Sequence, residues 1–214
     1  MPSSISTLPE MPRRPRELPA SVPVCYCPAM PDPVTLPVLE TPRLRLEPLV
    51  PAHATETFGP LGDERLYRFI PGNPPANLAA LEARYGLLSG RRSPDDTQGW
   101  LNWVMRRRDS GEPVGTLEAT VYPDRSSSIA YVVFVRHQRR GLATEGVARM
   151  VEHLVVDHGI TLLVAEVDTR NAASVGLLDR LRFSRVATVR DADHFKGTPS
   201  DEFRYELRPV FPAE

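Results

Sequence analysis

The chain has 214 residues, 41% of them hydrophobic, and a formal net charge of -1. This length allows one domain with a buried core. The near-neutral charge leaves no basic surplus for general nucleic-acid binding, and no apolar run approaches the ~18 residues that span a bilayer. Cys25 and Cys27 are too close in sequence for a mutual disulfide, and no Cys or His cluster completes a metal set, so we expect no metal and a reducing cytoplasm.

Residues 1–36 form a segment that is crowded with proline. No helical or strand period survives there, and such a segment buries too little apolar surface to offset its ordering entropy. We therefore expect an extended or disordered tail, followed by one folded domain over residues 37–214. The tail is either dispensable, which we favour, or a docking peptide that binds a partner in polyproline II geometry.

The first elements after the tail are a short strand and a broken helical region. Residues 43–47 alternate between charged and apolar side chains, which predicts a half-buried strand. Residues 52–89 have helical spacing, with breaks expected at Gly59-Pro60 and over residues 71–75. One apolar face of the second helical piece is formed by Leu78, Leu81, Tyr85 and Leu88.

The middle of the chain predicts an antiparallel meander. Residues 100–105 and 114–121 have the composition of strands, and the turn residues 109–112 between them predict a hairpin. A second turn at residues 124–128 leads into an apolar strand over residues 129–135. These three strands are expected to lie side by side in one sheet.

A basic turn and a long helix follow this strand. The turn, residues 138–143, contains two arginines and Gly141. Gly159 is placed to end the helix, whose apolar stripe is formed by Ala143, Val147, Met150, Val151, Leu154 and Val155. The first N–H groups of a helix lack partners inside the helix, and the helix dipole favours negative charge there. A helix N-terminus beside a strand end, with arginines alongside, therefore indicates a pyrophosphate site and a nucleotide-bearing cofactor.

The last third of the chain predicts a second β-α unit and two further strands. Residues 160–167 are a nearly unbroken apolar run, which is typical of a buried parallel strand. Asn171 is placed to cap the next helix. Residues 184–189 and 202–207 predict two strands that are joined by a polar segment. The order of elements, ending in β-α-β-α-β-β, indicates a mixed α/β fold.

Three segments carry motifs of one known family. Residues 41–46, Thr-Pro-Arg-Leu-Arg-Leu, are similar to an opening strand, and residues 138–145 match the acyl-CoA turn Q/R-x-x-G-x-G/A. The segment from Asn171 to Phe183 is similar to N-x-x-S-x-x-L-L-x-x-x-G-F. Over residues 38–208 the chain thus resembles the GCN5-related N-acetyltransferases (GNAT superfamily), within them the RimJ/RimL-type group that acetylates ribosomal-protein N-termini. No G-x-G-x-x-G or G-x-x-x-x-G-K-[ST] loop is present, which disfavours a Rossmann or P-loop site.

The resemblance implies the GNAT fold, in which a mixed, mostly antiparallel sheet is splayed between two parallel strands and flanked by helices. It implies acetyl-CoA as the donor substrate, with its pyrophosphate on the amides of the basic turn and its pantetheine arm between the splayed strands. A backbone N–H of Val133 or Phe134 would then stabilise the tetrahedral oxyanion. The residues implied to contact coenzyme A are Val133, Phe134, Val135, Gln138, Arg139, Arg140, Gly141, Leu142, Ala143, Thr144, Asn171 and Ser174.

The catalytic groups depart from the family pattern. Ser128 stands where many relatives have a glutamate, so the candidate bases are Glu118, acting through a water, and His194. An exposed strand carboxylate and a structural loop histidine are the alternative interpretations. Residues 177–178 are leucines where many relatives have a tyrosine, which leaves Ser174 as candidate acid. A thiol pKa near 8.5 also allows the thiolate to leave without an acid.

Two arginines also stand where the family usually has glycine. Arg139 lies in the basic turn, where it either clamps a phosphate or is a solvated surface charge. Arg182 precedes Phe183, so the turn there is expected to differ in shape from that of the relatives.

We therefore expect an acetyl-CoA-dependent N-acetyltransferase that transfers acetyl directly to a primary amine, either a protein α-amine or a small molecule. The alternative is an acyl-CoA-binding regulatory protein that has lost turnover, because the usual glutamate and tyrosine are missing. The expected partners are acyl-CoA and the amine acceptor, with a homodimer as one option and without nucleic acid or membrane. The helical region 52–89 is expected to form one wall of the acceptor pocket.

Overall fold

The computed structural model describes residues 36–195 and 197–209. They form one eight-stranded sheet with the strand order β1-β2-β3-β4-β5-β6-β8-β7. The strands are Leu39–Glu40 (β1), Leu44–Pro48 (β2), Gly99–Arg107 (β3), Pro113–Val121 (β4), Ser126–Val133 (β5), Leu162–Asp168 (β6), Ser184–Phe195 (β7) and Thr198–Leu207 (β8). The helices are Ala54–Leu61 (α1), Leu78–Ser89 (α2), Leu142–His158 (α3) and Ala172–Arg180 (α4), with 3-10 helices at Pro51–His53, Glu64–Arg68 and Val135–His137.

The predicted α/β order of elements is confirmed, and several details differ. β5 begins at Ser126 and ends at Val133, so Val135 lies in a 3-10 helix and not in the strand. Helix α1 continues through Gly59-Pro60, because Pro60 is its penultimate residue and removes only one intrahelical hydrogen bond there. The predicted tail lies outside the described residues, except that Leu36 is buried in the core.

The polar segment that was predicted between the last two strands is itself mostly strand. β7 and β8 form a long antiparallel hairpin, with register shifts between Arg185 and Ala187 and between Val189 and Asp193. β7 lies at the edge of the sheet, and many of its side chains are exposed. Such an edge strand lacks the apolar alternation on which strand prediction depends, so its extent was underestimated.

Two hydrophobic clusters cover the two faces of the sheet. On one face, α3 and α4 pack on Leu101, Trp103 and Met105 of β3. On the other face, α2 packs on Trp100 and Val104 of the same strand. Successive side chains of β3 point to opposite faces of the sheet, so α3 and α4 cover one face while α1 and α2 cover the other. The side chains of Val147, Met150 and Leu154 on α3 are fully buried. Burial of each such side chain stabilises the fold by ~1.5–3 kcal/mol.

The two parallel strands separate part of the way along their length. β5 pairs with β6 only over Ser126–Ser128, against Leu162–Val164. Beyond that point β5 pairs with β4, while β6 pairs with β8 as far as Asp168. The C-terminal halves of β5 and β6 therefore face each other across a gap, which confirms the splayed sheet. Among the described residues, no helix is long and apolar enough to cross a membrane.

Candidate active site

The gap between β5 and β6 has one edge of free backbone amides. The amide of Phe134 donates to the carbonyl of Val114 at 2.8 Å, and the amide of Tyr122 donates to Ser126 at 2.9 Å. Because amides alternate in direction along an antiparallel strand, those of Tyr131 and Val133 point away from β4 and toward the gap. This corrects the expectation for Phe134, whose amide is already bound and whose side chain is buried. Val133 remains the candidate oxyanion donor.

The basic turn joins the end of β5 to α3 through two left-handed residues. Arg139 has a φ of 63° and Gly141 a φ of 75°. Successive amides in such a conformation form a concave anion site. Glycine adopts this conformation freely, whereas for an arginine it costs about 1–2 kcal/mol. The side-chain amide of Gln138 donates to the carbonyl of Val133 at 3.0 Å, which holds the turn against the strand.

The first turn of α3 presents free N–H groups toward this concave surface. Gly141 is the N-cap residue, and it supplies no side-chain cap. The amides of Leu142, Ala143 and Thr144 have no intrahelical partner, by the geometry of any helix N-terminus. Gly146 lets the helix lie close to the sheet, since an added Cβ there would meet the sulfur of Met105 at 2.7 Å. The amides and the helix dipole together form a site for an anion.

The acidic side chain in the first turn of α3, Glu145, is bound by residues that precede β2. One carboxylate oxygen of Glu145 accepts from the Thr41 hydroxyl at 2.6 Å and from the Arg43 amide at 2.9 Å, and the other accepts from Arg43 Nε at 2.6 Å. Arg43 Nη1 also donates to the carbonyl of Arg140 at 3.0 Å. We call Thr41, Arg43 and Glu145 the clasp, because they join the start of β2 to the basic turn and to α3.

The clasp keeps the charge of Glu145 neutralised beside the helix N-terminus. Burial alone would raise the pKa of Glu145, but hydrogen bonds from Thr41 and Arg43 outweigh it and lower the pKa below its usual value. Both segments carry family motifs, but their contact is not readable from the sequence, because Arg43 and Glu145 are 102 residues apart in the chain. No local pattern reports a contact at that separation.

The start of α4 lies beside the same gap and is held by a buried carboxylate. Asp168, at the end of β6, accepts from Ser200 Oγ at 2.7 Å and from the amide and guanidinium of Arg170 at 2.5–2.9 Å. The predicted cap is confirmed, since Asn171 Oδ1 accepts from the amide of Ser174 at 3.2 Å. Burial would raise the pKa of Asp168, but these partners lower it. The carboxylate therefore stays ionised and fixes the approach to α4.

A tyrosine from β5 points to the face of the sheet that α3 and α4 cover. The cross-strand partner of Tyr131 is Leu117, which belongs to the core on that face. Burial raises the pKa of Tyr131 to about 12. Leu177 and Leu178, which occupy the family's tyrosine position, are buried in the core.

Glu118 lies on the opposite face of the sheet from Tyr131. It pairs across the strands with Asn102 of β3 and with Ala130 of β5, next to Tyr131 in the chain. Its carboxylate lies 3.8 Å from the guanidinium of Arg84 on α2, and the two side chains are 25% and 20% exposed. Nδ2 of the buried Asn102 has no hydrogen-bond partner among the described residues. A polar cluster thus lies under α2, on the face that the helical region 52–89 covers.

The remaining predicted site residues, His194, Arg139 and Arg140, are exposed at the surface. His194 is exposed near the tip of the β7–β8 hairpin, where it pairs with Pro199 and its amide donates to Asp193 at 2.9 Å. Its role as a base stays a prediction. Arg139 and Arg140 are exposed beside the first turn of α3, so their contribution to anion binding also stays a prediction.

Arg182 ends α4 in the conformation that glycine favours, with a φ of 64°. Its amide donates to the carbonyl of Asp179 at 3.1 Å, and the amide of Phe183 donates to Leu178 at 3.0 Å. These two bonds are the Schellman pattern of a helix C-terminus. Arg182 thus takes the backbone conformation of a glycine, and whether the turn differs in shape from that of the relatives stays a prediction.

Comparisons with known proteins agree with this arrangement. A family model described as an acetyltransferase (GNAT) domain matches residues 43–184. YoaA of Bacillus subtilis, named an N-acetyltransferase, is 26% identical over 173 residues, which are 80% of this chain and 96% of that protein. RimL, a ribosomal L7/L12 α-N-protein acetyltransferase in complex with coenzyme A, has a TM-score of 0.70 at 15% identity, covering 81% of this chain and 97% of its own. The microcin self-immunity acetyltransferase MccE, in complex with acetyl-CoA and AMP, has a TM-score of 0.70 at 13% identity, covering 79% and 94%.

Proposed function

The chain belongs to the acetyltransferase (GNAT) family, and on that basis we propose that it transfers acetyl from acetyl-CoA directly to a primary amine. The acceptor is either the α-amine of a protein or a small-molecule amine. The observation that carries this proposal is the gap between β5 and β6, which opens beside the N-termini of α3 and α4. A donor with a pyrophosphate at one end and a thioester at the other fits this arrangement, because the N-terminus of α3 suits the pyrophosphate and the gap between β5 and β6 has room for the arm that carries the thioester.

The donor lies along the gap in this proposal. Its pyrophosphate binds the amides of the turn at residues 138–144, with Asn171 and Ser174 at the start of α4 on the other side of the slot. The supporting observations are the left-handed Gly141 and the uncapped first turn of α3. The amide of Val133 donates to the thioester oxygen, where a preorganised donor stabilises the charge of the tetrahedral intermediate.

The amine attacks from the face that carries Glu118. It must be neutral to attack, which for an α-amine costs about 1 kcal/mol at pH 7 and for a lysine about 4–5 kcal/mol. Glu118 takes the proton through a water, because its carboxylate is one strand away from β5. The neutral amine adds to the thioester carbon and forms the tetrahedral intermediate. This intermediate collapses as the C–S bond breaks, so that the sulfur leaves as a thiolate and the nitrogen releases its surplus proton to water. Cys25 and Cys27 are the two cysteines of the sequence, so the residues that the structure describes offer no cysteine nucleophile.

The open part of this face is acidic, which supports a cationic acceptor. Register places Glu166, Arg204, Glu202 and Glu206 on the same face as Glu118, along β6 and β8. Arg204 lies 3.4 Å from both Glu166 and Glu206, and Arg208 lies 3.1 Å from Glu206, so these two arginines offset part of the negative charge. An ammonium group that approaches this face is attracted before it is deprotonated.

The test is a transfer assay with acetyl-CoA against a panel of peptides with free N-termini and of small amines. The expected result is release of coenzyme A together with an acetylated product, identified by mass. Incubation with labelled acetyl-CoA alone should leave no acetyl adduct on the protein, and a stable adduct would contradict direct transfer. Binding of coenzyme A without transfer to any amine would favour the regulatory alternative, in which the lost glutamate and tyrosine have removed turnover.

A further inference from the structure

We propose that the acceptor carries a carboxylate beside its primary amine, as a free α-amino acid does, and that Arg84 binds this carboxylate. This inference rests on the proposed function, because it names the class of amine that receives the acetyl group. Arg84 is then the residue that selects the acceptor, and Glu118 is the residue that takes its proton.

Glu118 and Arg84 form an ion pair at the place where the amine is expected to arrive. Glu118 lies opposite Ala130 of β5, which is two residues beyond Ser128, the last residue of β5 that pairs with β6. The glutamate therefore stands beside the gap. The guanidinium of Arg84 reaches it from α2. The side chains of Arg84 and Glu118 are 20% and 25% exposed, so a small molecule can contact both.

The separation of these two charges suits a zwitterion. Nη2 of Arg84 lies 3.8 Å from Oε1 of Glu118, which is longer than the about 2.7–3.2 Å of an N–H···O hydrogen bond. In an α-amino acid, the nitrogen lies ~2.5 Å from the carboxyl carbon. Its carboxylate can accept from the guanidinium fork while its amine faces Glu118. One long ion pair is thereby exchanged for two charge-assisted contacts.

An amine without a carboxylate lacks this match. Before it loses its proton it is an ammonium group, and an ammonium group beside Glu118 also lies beside the positive charge of Arg84. Like charges at such a distance repel, and solvent screens the repulsion incompletely where the side chains are mostly buried. A carboxylate on the acceptor offsets this repulsion. Arg84 therefore disfavours amines that carry no anion of their own.

Asn102 places a neutral donor in the same site. It lies opposite Glu118 across β3 and β4 and is 5% exposed. Its Nδ2 has no hydrogen-bond partner among the described residues, although buried donors in folded proteins almost always have one. The Cβ atoms of directly opposed residues lie ~4.5–5.5 Å apart, so the carboxylate of Glu118 can turn to this donor when the acceptor takes Arg84. Binding of the acceptor thus gives the buried donor a partner.

The test compares a panel of α-amino acids with their amides, in which a neutral group replaces the carboxylate. Transfer is followed by release of coenzyme A, with the full-length protein at saturating acetyl-CoA. For the best amino acid, kcat/KM should exceed that for its amide about tenfold or more, as expected for a charged contact to an arginine. Basicity alone predicts the opposite order, because the amide lacks the negative charge that holds the proton on the amine.

Arg84→Gln should lower kcat/KM for the amino acid about tenfold and leave transfer to the amide within about twofold. A general structural defect would lower both. Arg84→Lys keeps the charge but loses the fork, so it should retain part of the preference. The Kd of coenzyme A, measured by calorimetry, should be unchanged in both variants, because neither substitution touches the basic turn.

Arg149→Gln is the matched control. Arg149 also lies on a helix, is 29% exposed and pairs with Glu152 at 3.4 Å, but it belongs to α3 on the other face of the sheet. This variant removes a comparable ion pair outside the acceptor site. It should keep the full preference for the amino acid over its amide.

The outcomes separate the two proposals. Equal transfer to amino acids and amides in the wild type would overturn the carboxylate site, as would transfer to amides or peptides alone, or a preference that persists in Arg84→Gln. In each of these cases the proposed acetyl transfer would still stand. If no amine of either kind were acetylated, the proposed function itself would fail and the inference with it.

Discussion

The basic turn at residues 138–144 is proposed to bind the donor, and the polar cluster under α2 is proposed to act on the acceptor. The two regions are built differently. The turn is a backbone structure, in which two left-handed residues and an uncapped helix present amides. The cluster under α2 is a side-chain structure, in which Asn102, Glu118 and Arg84 come from three separate elements. A backbone site is specified locally, so the donor can be recognised from a short motif, whereas the acceptor cannot.

The clasp shows that the turn also depends on a distant contact. Arg43 neutralises Glu145 at the point where an anion is expected to bind. Without that contact a carboxylate at the start of α3 would compete with a pyrophosphate for the same amides. The turn therefore combines local backbone geometry with one long-range correction of its charge. The following substitutions test this contrast between the two regions.

Gly141→Glu is expected to have the largest effect. The new side chain would be strained at a φ of 75° and would place a negative charge against the pyrophosphate. The Kd of coenzyme A, measured by calorimetry, should rise about 100-fold or more, which corresponds to ~3 kcal/mol. Gly111→Glu is the control, since Gly111 has a φ of 70° in the β3–β4 turn and open space around it. Equal affinity in the two variants would show that the turn does not bind the pyrophosphate.

Glu118→Gln should act on turnover and leave donor binding unchanged. Loss of a general base typically lowers rates by about 10²–10⁴-fold, and we expect the lower end, since a water can still reach solvent. Steady-state assays should show this loss in kcat, with the Kd of coenzyme A unchanged. Glu47→Gln is the matched control, because Glu47 lies on the same face of the sheet, is 21% exposed and also pairs with an arginine, but belongs to β2. Full activity of Glu118→Gln would clear Glu118 of a base role.

Arg43→Ala should weaken donor binding about tenfold, because it frees the charge of Glu145 at the start of α3. Arg45→Ala is the control, since Arg45 lies two residues further along the chain in β2, is also 50% exposed and contacts Glu47 instead. If Arg43 acts through Glu145, adding Glu145→Gln should restore part of the affinity that Arg43→Ala loses. A similar loss in the Arg45 control would remove the clasp from donor binding.

The pH dependence of folding reports on the same contact. The folded pKa of Glu145 lies below its ordinary value of 4.5. Its contribution to stability is therefore fully present above pH 4.5 and is lost as the pH falls through the lower folded pKa. Chemical denaturation should show wild type and Glu145→Gln converging in unfolding free energy as the pH falls below 4.5. A constant difference over that range would contradict the lowered pKa.

Arg139→Gly and Arg182→Gly should have the smallest effects. Each relieves a left-handed arginine, and each adds conformational entropy to the unfolded chain, so we expect a net gain in stability of about 0.5–1 kcal/mol. Thermal unfolding measures this gain. Coenzyme A affinity then decides the two interpretations of Arg139. A loss in Arg139→Gly, without one in Arg182→Gly, would show that Arg139 clamps a phosphate.

Much of the fold was readable because its signals are local. The period of the apolar stripe predicted α3, Gly159 ended it in a left-handed conformation, and Asn171 capped α4 as expected. The hairpin of β3 and β4 followed from the turn residues between them. The long β7–β8 hairpin was missed in part, because exposed edge strands carry little apolar alternation.

The candidate site also combines local features, which the sequence shows, with long-range contacts, which it does not. The sequence by itself determined the basic turn, the helix that follows it and the family to which the chain belongs, because backbone conformation and capping depend on residues within about one helical turn. The tertiary structure alone decided that Arg43 reaches Glu145 and that the Phe134 amide is bound to Val114. These contacts depend on strand register and on helix packing between residues that are far apart in the chain, and no local pattern encodes them.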